Sequence, residues 1–167
     1  RDLPSICFSG TFNKREDKAI VDHSGFICLD FDGYETEDDL LADKVRLSED
    51  AHSYSVFVSP SGNGLKVIVK IPKDIDNHKN YFNSLEKHFD SKYFDTTSKN
   101  ISRVCYESYD PEIYINVDSR LWDRLEEAEY VELDRSSSVT TIPITNDNKV
   151  VEILMRWWSK NSIIRTA

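Results

Sequence analysis

The alternation of apolar and polar side chains is clearest over residues 26–33, which read Phe-Ile-Cys-Leu-Asp-Phe-Asp-Gly. Successive side chains of a β-strand point to opposite faces. Ile27, Leu29 and Phe31 therefore share one apolar face, and Asp30 and Asp32 lie on the other. The pattern predicts a buried strand that packs its apolar face on helices and carries two carboxylates near its end.

A second alternating segment, residues 65–71, reads Leu-Lys-Val-Ile-Val-Lys-Ile. Its odd-numbered positions are all apolar, while Lys66 and Lys70 lie on the other face. If the two strands belong to one sheet, the lysines share the face of Asp30 and Asp32. The turn before this strand, residues 59–64, offers backbone N–H groups and hydroxyls suited to phosphate oxygens, although an ordinary hairpin explains its glycines equally well.

Apolar residues spaced three to four apart predict helices over residues 37–47, with Thr36 as the N-cap, and over residues 77–89. The remaining predicted elements are strands over residues 6–8, 54–58, 102–106 and 113–115, a turn at Ser9-Gly10-Thr11, a segment Ile20-Val21 that joins the sheet, and a short helix after Asp118 through Trp122 and Leu125. This order favours an α+β fold, with a mostly antiparallel sheet, helices on one face, and the other face open and polar.

The composition changes after residue 134, where a segment rich in Ser and Thr precedes another apolar stretch. We therefore predict one domain over residues 1–134 and a linker over residues 135–146. Residues 147–167 are predicted to form a C-terminal helix, which docks on the domain or opens a further one.

The net charge of −9 is unusual for a protein that binds nucleic acid, but it is unevenly distributed. Residues 1–106 carry a charge of −4, residues 107–134 carry −8, and residues 135–167 carry +3. The acidic excess therefore lies mainly in one late segment, which is not expected to face phosphate groups.

Three widely spaced cysteines, each within an apolar stretch, predict free buried thiols in a reducing compartment, so we expect a cytoplasmic protein. The four histidines show no zinc-ligand spacing. No apolar run is long enough to span a membrane.

Two adjacent carboxylates on one face repel each other unless a cation or a shared proton relieves them, and hard oxygen donors suit Mg²⁺ or Mn²⁺. Asp30 and Asp32 are therefore candidate metal ligands, the alternative being a solvated acidic turn. Asp95 is a third candidate carboxylate, and Arg103 a further candidate cation. Lys14, Arg15 and Lys18 form a basic cluster, for which two predictions stay open, a contact with phosphate and a solvated loop.

Several motifs, taken in order along the chain, resemble one known family. They are Phe8-Ser9-Gly10-Thr11-Phe12 followed by Lys14-Arg15-Glu16-Asp17, then residues 23–32, 59–66 and 95–103, and finally Ser108-Tyr109-Asp110-Pro111. Over roughly residues 3–117 the chain resembles the VirE N-terminal-like domain of mobile-element and phage proteins of Bacteroidetes. That family looks like a branch of the archaeo-eukaryotic primase superfamily, the primase-polymerases.

The resemblance implies an RRM-like catalytic core. It implies an acidic pair on a strand, matched by Asp30 and Asp32, and a further acid, for which Asp95 is the first choice and Asp110 the reserve. The superfamily also has a small-residue turn that leads to a nucleotide-binding His. This chain has the turn, but Lys66 stands at the position of the His. The lysine keeps a positive charge that can bind phosphate, but it lacks the fixed donor geometry of an imidazole ring.

The implied activity is that of a DNA primase or polymerase, a nucleotidyltransferase that takes NTP or dNTP and uses two Mg²⁺ or Mn²⁺ ions held by Asp30, Asp32 and Asp95. The implied nucleotide-binding residues are Ser59, Ser61, Gly62, Asn63, Gly64, Lys66, Ser102 and Arg103, and the implied template-binding residues are Lys14, Arg15 and Lys70. The implied partners are a single-stranded DNA template and a helicase or other replication domain, in the same chain or another.

Two other functions stay open at this point. One is a catalytically inactive module that binds nucleotide or nucleic acid for an attached helicase. The other is a nuclease or replication initiator built on a similar acidic strand, although no tyrosine beside a His-x-His cluster supports a rolling-circle nuclease. Synthesis of RNA or of DNA, with or without a primer, is equally compatible with the motifs.

Overall fold

The computed structural model describes residues 3–125, which form two helices, one four-stranded sheet and two short two-stranded ribbons. The strands are β1 (Ser5–Ile6), β2 (Gly10–Phe12), β3 (Ile20–His23), β4 (Phe26–Asp32), β5 (Ser53–Val58), β6 (Gly64–Lys70), β7 (Cys105–Tyr106) and β8 (Tyr114–Ile115), and the helices are α1 (Glu37–Glu49) and α2 (His78–Phe89). A 3₁₀ turn spans Asp17–Ala19.

The central sheet has the strand order β4-β6-β5-β8, and all neighbouring strands are antiparallel. The apolar side chains of β4 and β6, such as Leu29, Phe31 and Val67, are fully buried in the main core, where α2 contributes Phe82 and Leu85. The predicted apolar faces of both strands are thus confirmed. The fold is a mixed one of helices and antiparallel sheets.

The N-terminal strands pair differently from the prediction. Gly10 belongs to strand β2, not to a turn, and β2 pairs with β3 in a ribbon of its own. A β-carbon at Gly10 would overlap the backbone carbonyl of Asp22, so this glycine permits close approach of two strands rather than a reversal of the chain. The strands predicted over residues 6–8 and 102–106 are reduced to β1 and β7, which pair with each other.

The short helix predicted after Asp118 is wrong. The backbone N–H groups of Arg120 and Trp122 donate to the carbonyls of Ala51 and Lys70, both 2.8 Å away, instead of to carbonyls within their own segment. Trp122 is buried in the main core. Tertiary hydrogen bonds and burial of this one ring therefore override the local helical pattern.

The face of the central sheet opposite the helices is less polar than predicted. Cys28, Phe57, Ile68 and Cys105 form a second buried cluster there, against which Phe8 packs. Cys105 comes from β7 and Phe8 follows β1, so the chain around the β1–β7 ribbon covers part of this face. The polar part of this face is the end that carries Asp30 and Asp32.

The predicted linker over residues 135–146 and the predicted helix over residues 147–167 lie outside the described residues, as does the end of the predicted domain. Within residues 3–125, neither helix has the length and apolar character needed to cross a bilayer.

Two histidines share a hydrogen bond inside the fold. His23 and His78 are each 2% exposed, and His23 Nε2 lies 3.1 Å from His78 Nδ1. The backbone N–H of Gly25 donates to His23 Nδ1 at 3.0 Å, so His23 carries its proton on Nε2 and donates to His78. Burial, together with the neighbouring His23, lowers the pKa of His78 to about 4.

We expect this pair to make the fold sensitive to acid between about pH 6.5 and about pH 4. The unfolded chain binds a proton at His78 in this window and the folded chain does not, so the free energy of unfolding falls by ~3 kcal/mol as the pH drops through it. Urea unfolding at neutral and mildly acidic pH measures the fall. His78→Gln, whose carbonyl still accepts from His23, should flatten this dependence, and the partly exposed His52→Gln should keep it. An unchanged dependence in His78→Gln would contradict the assignment.

Candidate active site

The layout of the candidate site is set by the register of three strands. Asp30 of β4 lies directly opposite Lys66 of β6, and Asp32 lies opposite Gly64. On the other side of β6, Phe57 of β5 lies opposite Lys66. Because directly opposed residues of antiparallel strands project to the same face, one row across the sheet presents an aromatic ring, a cation and a carboxylate on the face away from the helices.

Asp30 is 1% exposed and has two charged partners. Lys66 Nζ lies 2.6 Å from Asp30 Oδ1, and Arg103 Nη2 donates to Asp30 Oδ2 at 2.7 Å. A buried carboxylate is tolerated when it is paired and hydrogen-bonded. The two cations therefore account for the burial of Asp30, and they take up both of its oxygens.

Asp95 is brought to β4 by backbone contacts. Its N–H donates to the backbone carbonyl of Asp30 at 2.8 Å, and the preceding Phe94 forms a β-bridge with Phe31. As a result, Asp30, Asp32 and Asp95 each offer a carboxylate oxygen within 4.8 Å of the others. The three acids proposed from the sequence therefore converge.

Asp32 and Asp95 differ in their electrostatics. For Asp32, burial raises the pKa, and the charges of Asp30 and Asp95 add to this while Lys66 opposes it. For Asp95, partial burial acts to raise the pKa, but hydrogen bonds from the Thr97 N–H and hydroxyl lower it overall. A divalent cation would relieve the repulsion that favours the protonated form of Asp32.

Asp110, the reserve choice for the third acid, lies elsewhere and has a different environment. Its Oδ2 is 2.8 Å from Lys44 Nζ, and the same oxygen accepts from the backbone N–H of Val58 at 2.8 Å. Both side chains of this ion pair are almost completely buried. Asp110 therefore ties α1 to the end of β5 and does not face the other acids.

A cleft of about 340 Å³ opens beside the acids. Its lining includes Arg15, Asp30, Asp32, Ser59, Ser61, Lys66 and Arg103. The hydroxyls of Ser59 and Ser61 share a hydrogen bond of 3.0 Å. Carboxylates thus face cations and hydroxyls across a space open to a small anionic ligand.

The turn before β6 contributes only some of its residues to this cleft. Gly62 and Asn63 line a separate cleft beside the start of α1, together with Tyr34 and Thr36. Gly62 has a φ of +83°, a conformation that glycine adopts without strain. Ser59 and Ser61 are therefore the turn residues placed to contact a ligand, while Gly62 shapes the turn.

Arg103 is positioned by a residue that the sequence analysis did not single out. The hydroxyl of Ser102 donates to Asp17 Oδ1 at 2.6 Å, and the backbone N–H of Ser102 donates to the same oxygen at 3.1 Å. Ser102 is buried and does not line the acidic cleft, so its position gives no support to the expected contact with nucleotide. Asp17 is 85 residues away in the chain, and no local pattern signals this contact.

The three residues expected to bind template lie in different places. Arg15 lines the acidic cleft. Lys14 is exposed and pairs with Glu16 at 2.9 Å. Lys70 lies at the far end of β6, where its ammonium donates to two backbone carbonyls in the segment after β8, at 2.6 and 3.2 Å. Of the three, Arg15 is the one beside the candidate site.

An apolar groove of about 750 Å³ adjoins the acidic cleft. Tyr106 lines both, and Phe57 and Ile68 line the groove. No pattern in the sequence marked these residues as neighbours of the acidic cleft. The period-two pattern places Phe57 on a strand face, but only the strand pairing shows that this face adjoins Lys66.

The donor set fits a hard divalent cation. Three carboxylates converge, and hard oxygen donors of this kind are what Mg²⁺ and Mn²⁺ prefer. Two side-chain cations, Lys66 and Arg103, contact this cluster, so one negative charge is left over and attracts a further cation.

Comparison with known proteins gives one match. A family model described as "BT4734-like, N-terminal domain" matches residues 1–115, and this is a family of Bacteroidetes. No curated protein and no solved structure matches the chain significantly. The expectation of a Bacteroidetes family is thus confirmed, whereas the resemblance to the VirE N-terminal-like domain and its relation to the primase-polymerases stay predictions.

Proposed function

The chain belongs to the BT4734-like N-terminal domain family, and we propose that its acidic cleft is the nucleotidyl-transfer site of a DNA primase or polymerase. The observation that carries this proposal is the convergence of the carboxylates of Asp30, Asp32 and Asp95 beside a cleft that Lys66 and Arg103 line. Carboxylates that hold metal ions opposite cations that hold phosphates are the arrangement that this chemistry requires.

In the proposed reaction, a primer or initiating hydroxyl oxygen attacks the α-phosphorus of an NTP or dNTP, and the bond to pyrophosphate breaks. Asp30, Asp32 and Asp95 would hold two Mg²⁺ or Mn²⁺ ions, which when bound would lower the pKa of the attacking hydroxyl, whose proton leaves to solvent, and would neutralise developing charge. Lys66 and Arg103 bind the triphosphate and offset negative charge in the transition state. Ser59 and Ser61 donate hydrogen bonds to phosphate oxygens.

An RRM-like catalytic core is part of this proposal. The antiparallel sheet carries both helices on one face and the candidate site on the other, which supports this assignment. Lys66 takes the position of the superfamily's nucleotide-binding His. Its pairing with Asp30 across the strands supports a role in the site, since it lies where a phosphate beside the acids would meet it.

The proposed partners are a single-stranded DNA template and a helicase or other replication domain of a mobile element or phage. Arg15 lines the acidic cleft, and this position supports a contact with a phosphate of the template. The template-binding role of Lys70 receives no support from its position, because its ammonium is bonded to backbone carbonyls.

A template-dependent incorporation assay tests the proposal directly. The chain is incubated with a primed single-stranded template, labelled NTP or dNTP, and either Mg²⁺ or Mn²⁺. We expect product that depends on the template and on the divalent ion. No incorporation with any nucleotide or ion, primed or unprimed, would contradict the proposal.

An inactive nucleotide-binding module is the second candidate function. It is favoured by one observation, namely that Lys66 and Arg103 already satisfy both oxygens of Asp30. Such a module would bind nucleotide or DNA and never extend a primer, so binding without incorporation in the same assay would select it.

A substitution at Gly64 tests the site without removing any polar side chain. A β-carbon at residue 64 would overlap Asp32 Oδ1 and would also lie 2.9 Å from the backbone carbonyl oxygen of Phe31 and 3.2 Å from Ser59 Oγ, so the free energy of unfolding of the variant is measured beside its activity. We expect Gly64→Ala to displace Asp32 and to lower incorporation by about tenfold or more, since a misplaced catalytic group costs upwards of ~1.4 kcal/mol of transition-state stabilisation. Gly62→Ala meets no atom within 4 Å but strains the backbone, because residue 62 has a φ of +83°, so it controls for strain in the turn and should lower incorporation less than Gly64→Ala does. Equal activity of Gly64→Ala and Gly62→Ala would contradict the placement of Asp32.

A further inference from the structure

Asp30 is the most enclosed of the three acids, and a cationic side chain lies close to each of its oxygens. It is 1% exposed, Lys66 Nζ lies 2.6 Å from one oxygen, and Arg103 Nη2 lies 2.7 Å from the other. The side chain of Lys66 is itself only 13% exposed. A metal ion at Asp30 would compete with both cations while they hold these positions, because like charges would then crowd one buried carboxylate.

We propose that Asp30 is released to the metal only when a polyphosphate takes over Lys66 and Arg103. This exchange rests on the proposed function and specifies its substrate class, which is a metal-bound polyphosphate rather than a free divalent ion. Lys66 and Arg103 line the same cleft as Asp30 and Asp32, so they can turn to a phosphate without leaving the site. No bond is made or broken in this step. Two ion pairs are exchanged for two others.

Arg103 is suited to such an exchange because it already contacts two of the acids. Besides Asp30 Oδ2, its Nη2 lies 3.5 Å from Asp95 Oδ2. Its side chain is 34% exposed, and its backbone is fixed by the neighbouring Ser102–Asp17 contact. The guanidinium can therefore move from carboxylate to phosphate while the backbone that carries it stays in place.

The exchange makes the binding of metal and of polyphosphate mutually dependent. Each ligand removes the competitor that blocks the other, and such coupling is reciprocal. Metal alone and polyphosphate alone are therefore both expected to bind weakly, because each must break the ion pairs of Asp30 with Lys66 and Arg103. A merely structural Asp30–Lys66–Arg103 cluster predicts something different, since breaking it would then weaken every ligand.

The first arm of the test measures Mn²⁺ alone, by the electron paramagnetic resonance signal of the free ion. Lys66→Met removes one competitor of the metal, and we expect it to bind Mn²⁺ roughly 5- to 100-fold more tightly than wild type. Lys79→Met is the matched control, because Lys79 also faces a carboxylate, Asp17 at 3.9 Å, but lies outside the cleft. It should bind Mn²⁺ as wild type does.

The second arm measures inorganic tripolyphosphate without metal, by isothermal titration calorimetry. Asp30→Asn frees both cations from their carboxylate, and we expect its tripolyphosphate affinity to rise by a similar factor while its Mn²⁺ affinity falls. Asp38→Asn, at an exposed position in the first turn of α1, is the control. The second arm remains decisive if Lys66→Met does not fold.

The outcomes separate the exchange from the function on which it rests. Opposite changes, with tighter metal in Lys66→Met and tighter tripolyphosphate in Asp30→Asn, support the exchange. Loss of both ligands in Asp30→Asn, or Mn²⁺ binding by wild type that is as tight as in Lys66→Met, overturns the exchange alone. If wild type incorporates no nucleotide and binds neither Mn²⁺ nor a nucleoside triphosphate when both are supplied, the proposed function fails and the exchange fails with it.

Discussion

Replacing Asp30 with Asn is expected to lower template-dependent incorporation by about a thousandfold or more, because a metal ligand of the transferring phosphate contributes ~4 kcal/mol to transition-state stabilisation. The amide keeps the size of the carboxyl group and an oxygen that accepts from Lys66 or Arg103. Unlike Lys44 in Asp110→Asn, both cations also keep a neighbouring carboxylate, Asp32 for Lys66 and Asp95 for Arg103, so the chain should still fold. Incorporation of labelled nucleotide on a primed template measures the loss, and circular dichroism confirms the fold.

Asp38→Asn is the matched control for this prediction, since it removes one carboxylate from an exposed helical position outside the acidic cleft. It should retain full activity. If Asp30→Asn kept activity within about tenfold of wild type, the strand-borne acid would not be a ligand of a catalytic metal, and the account of the cleft would be wrong.

The second large effect separates Asp95 from Asp110. Asp95→Asn is expected to reduce incorporation by about a hundredfold or more, with little change in the free energy of unfolding, because Asp95 is partly exposed and lies among the converging acids. Asp110→Asn is expected to do the reverse. It leaves the buried ammonium of Lys44 without its counter-charge, which destabilises the fold by ~3 kcal/mol.

Urea unfolding and incorporation, both measured at a temperature where Asp110→Asn is still folded, decide between the two acids. A stable but inactive Asp95→Asn and an unstable but active Asp110→Asn support the assignment. The opposite pair of phenotypes would make Asp110 the third acid, in spite of its contacts with Lys44 and Val58.

The parts of the fold that a local pattern specifies could be predicted from the sequence. The alternation in β4 and β6 gave the buried face and the polar face of each strand, and the apolar spacing over residues 78–89 gave α2 with its buried stripe. The side-chain cap of α1 by Thr36, which accepts from the backbone N–H of Asp39, was predicted for the same reason.

The elements that failed depend on contacts between distant parts of the chain. Gly10 looked like a turn residue because its close approach to Asp22 cannot be seen before the strands are paired. The residues around Trp122 looked helical because their hydrogen bonds to Ala51 and Lys70 are tertiary.

The candidate site shows the same division. The strand pattern predicts that Asp30, Asp32 and Lys66 share one face if the two strands are neighbours. The pairing of β4 with β6 meets this condition. Two other contacts join distant parts of the chain. Asp17 and Ser102 are 85 residues apart, and Lys44 and Asp110 are 66 residues apart, so neither residue type nor spacing predicts these contacts. Residue chemistry therefore suggested the site, while the assignment of individual roles needed the packing.

The most direct test of the central claim is a crystal structure of the chain with Mn²⁺ and a non-hydrolysable nucleoside triphosphate, with anomalous diffraction used to locate the manganese. The account predicts manganese between Asp30, Asp32 and Asp95, with Lys66 and Arg103 turned from Asp30 to the phosphates. Manganese bound elsewhere, or a triphosphate outside the cleft while Lys66 and Arg103 stay on Asp30, would contradict it.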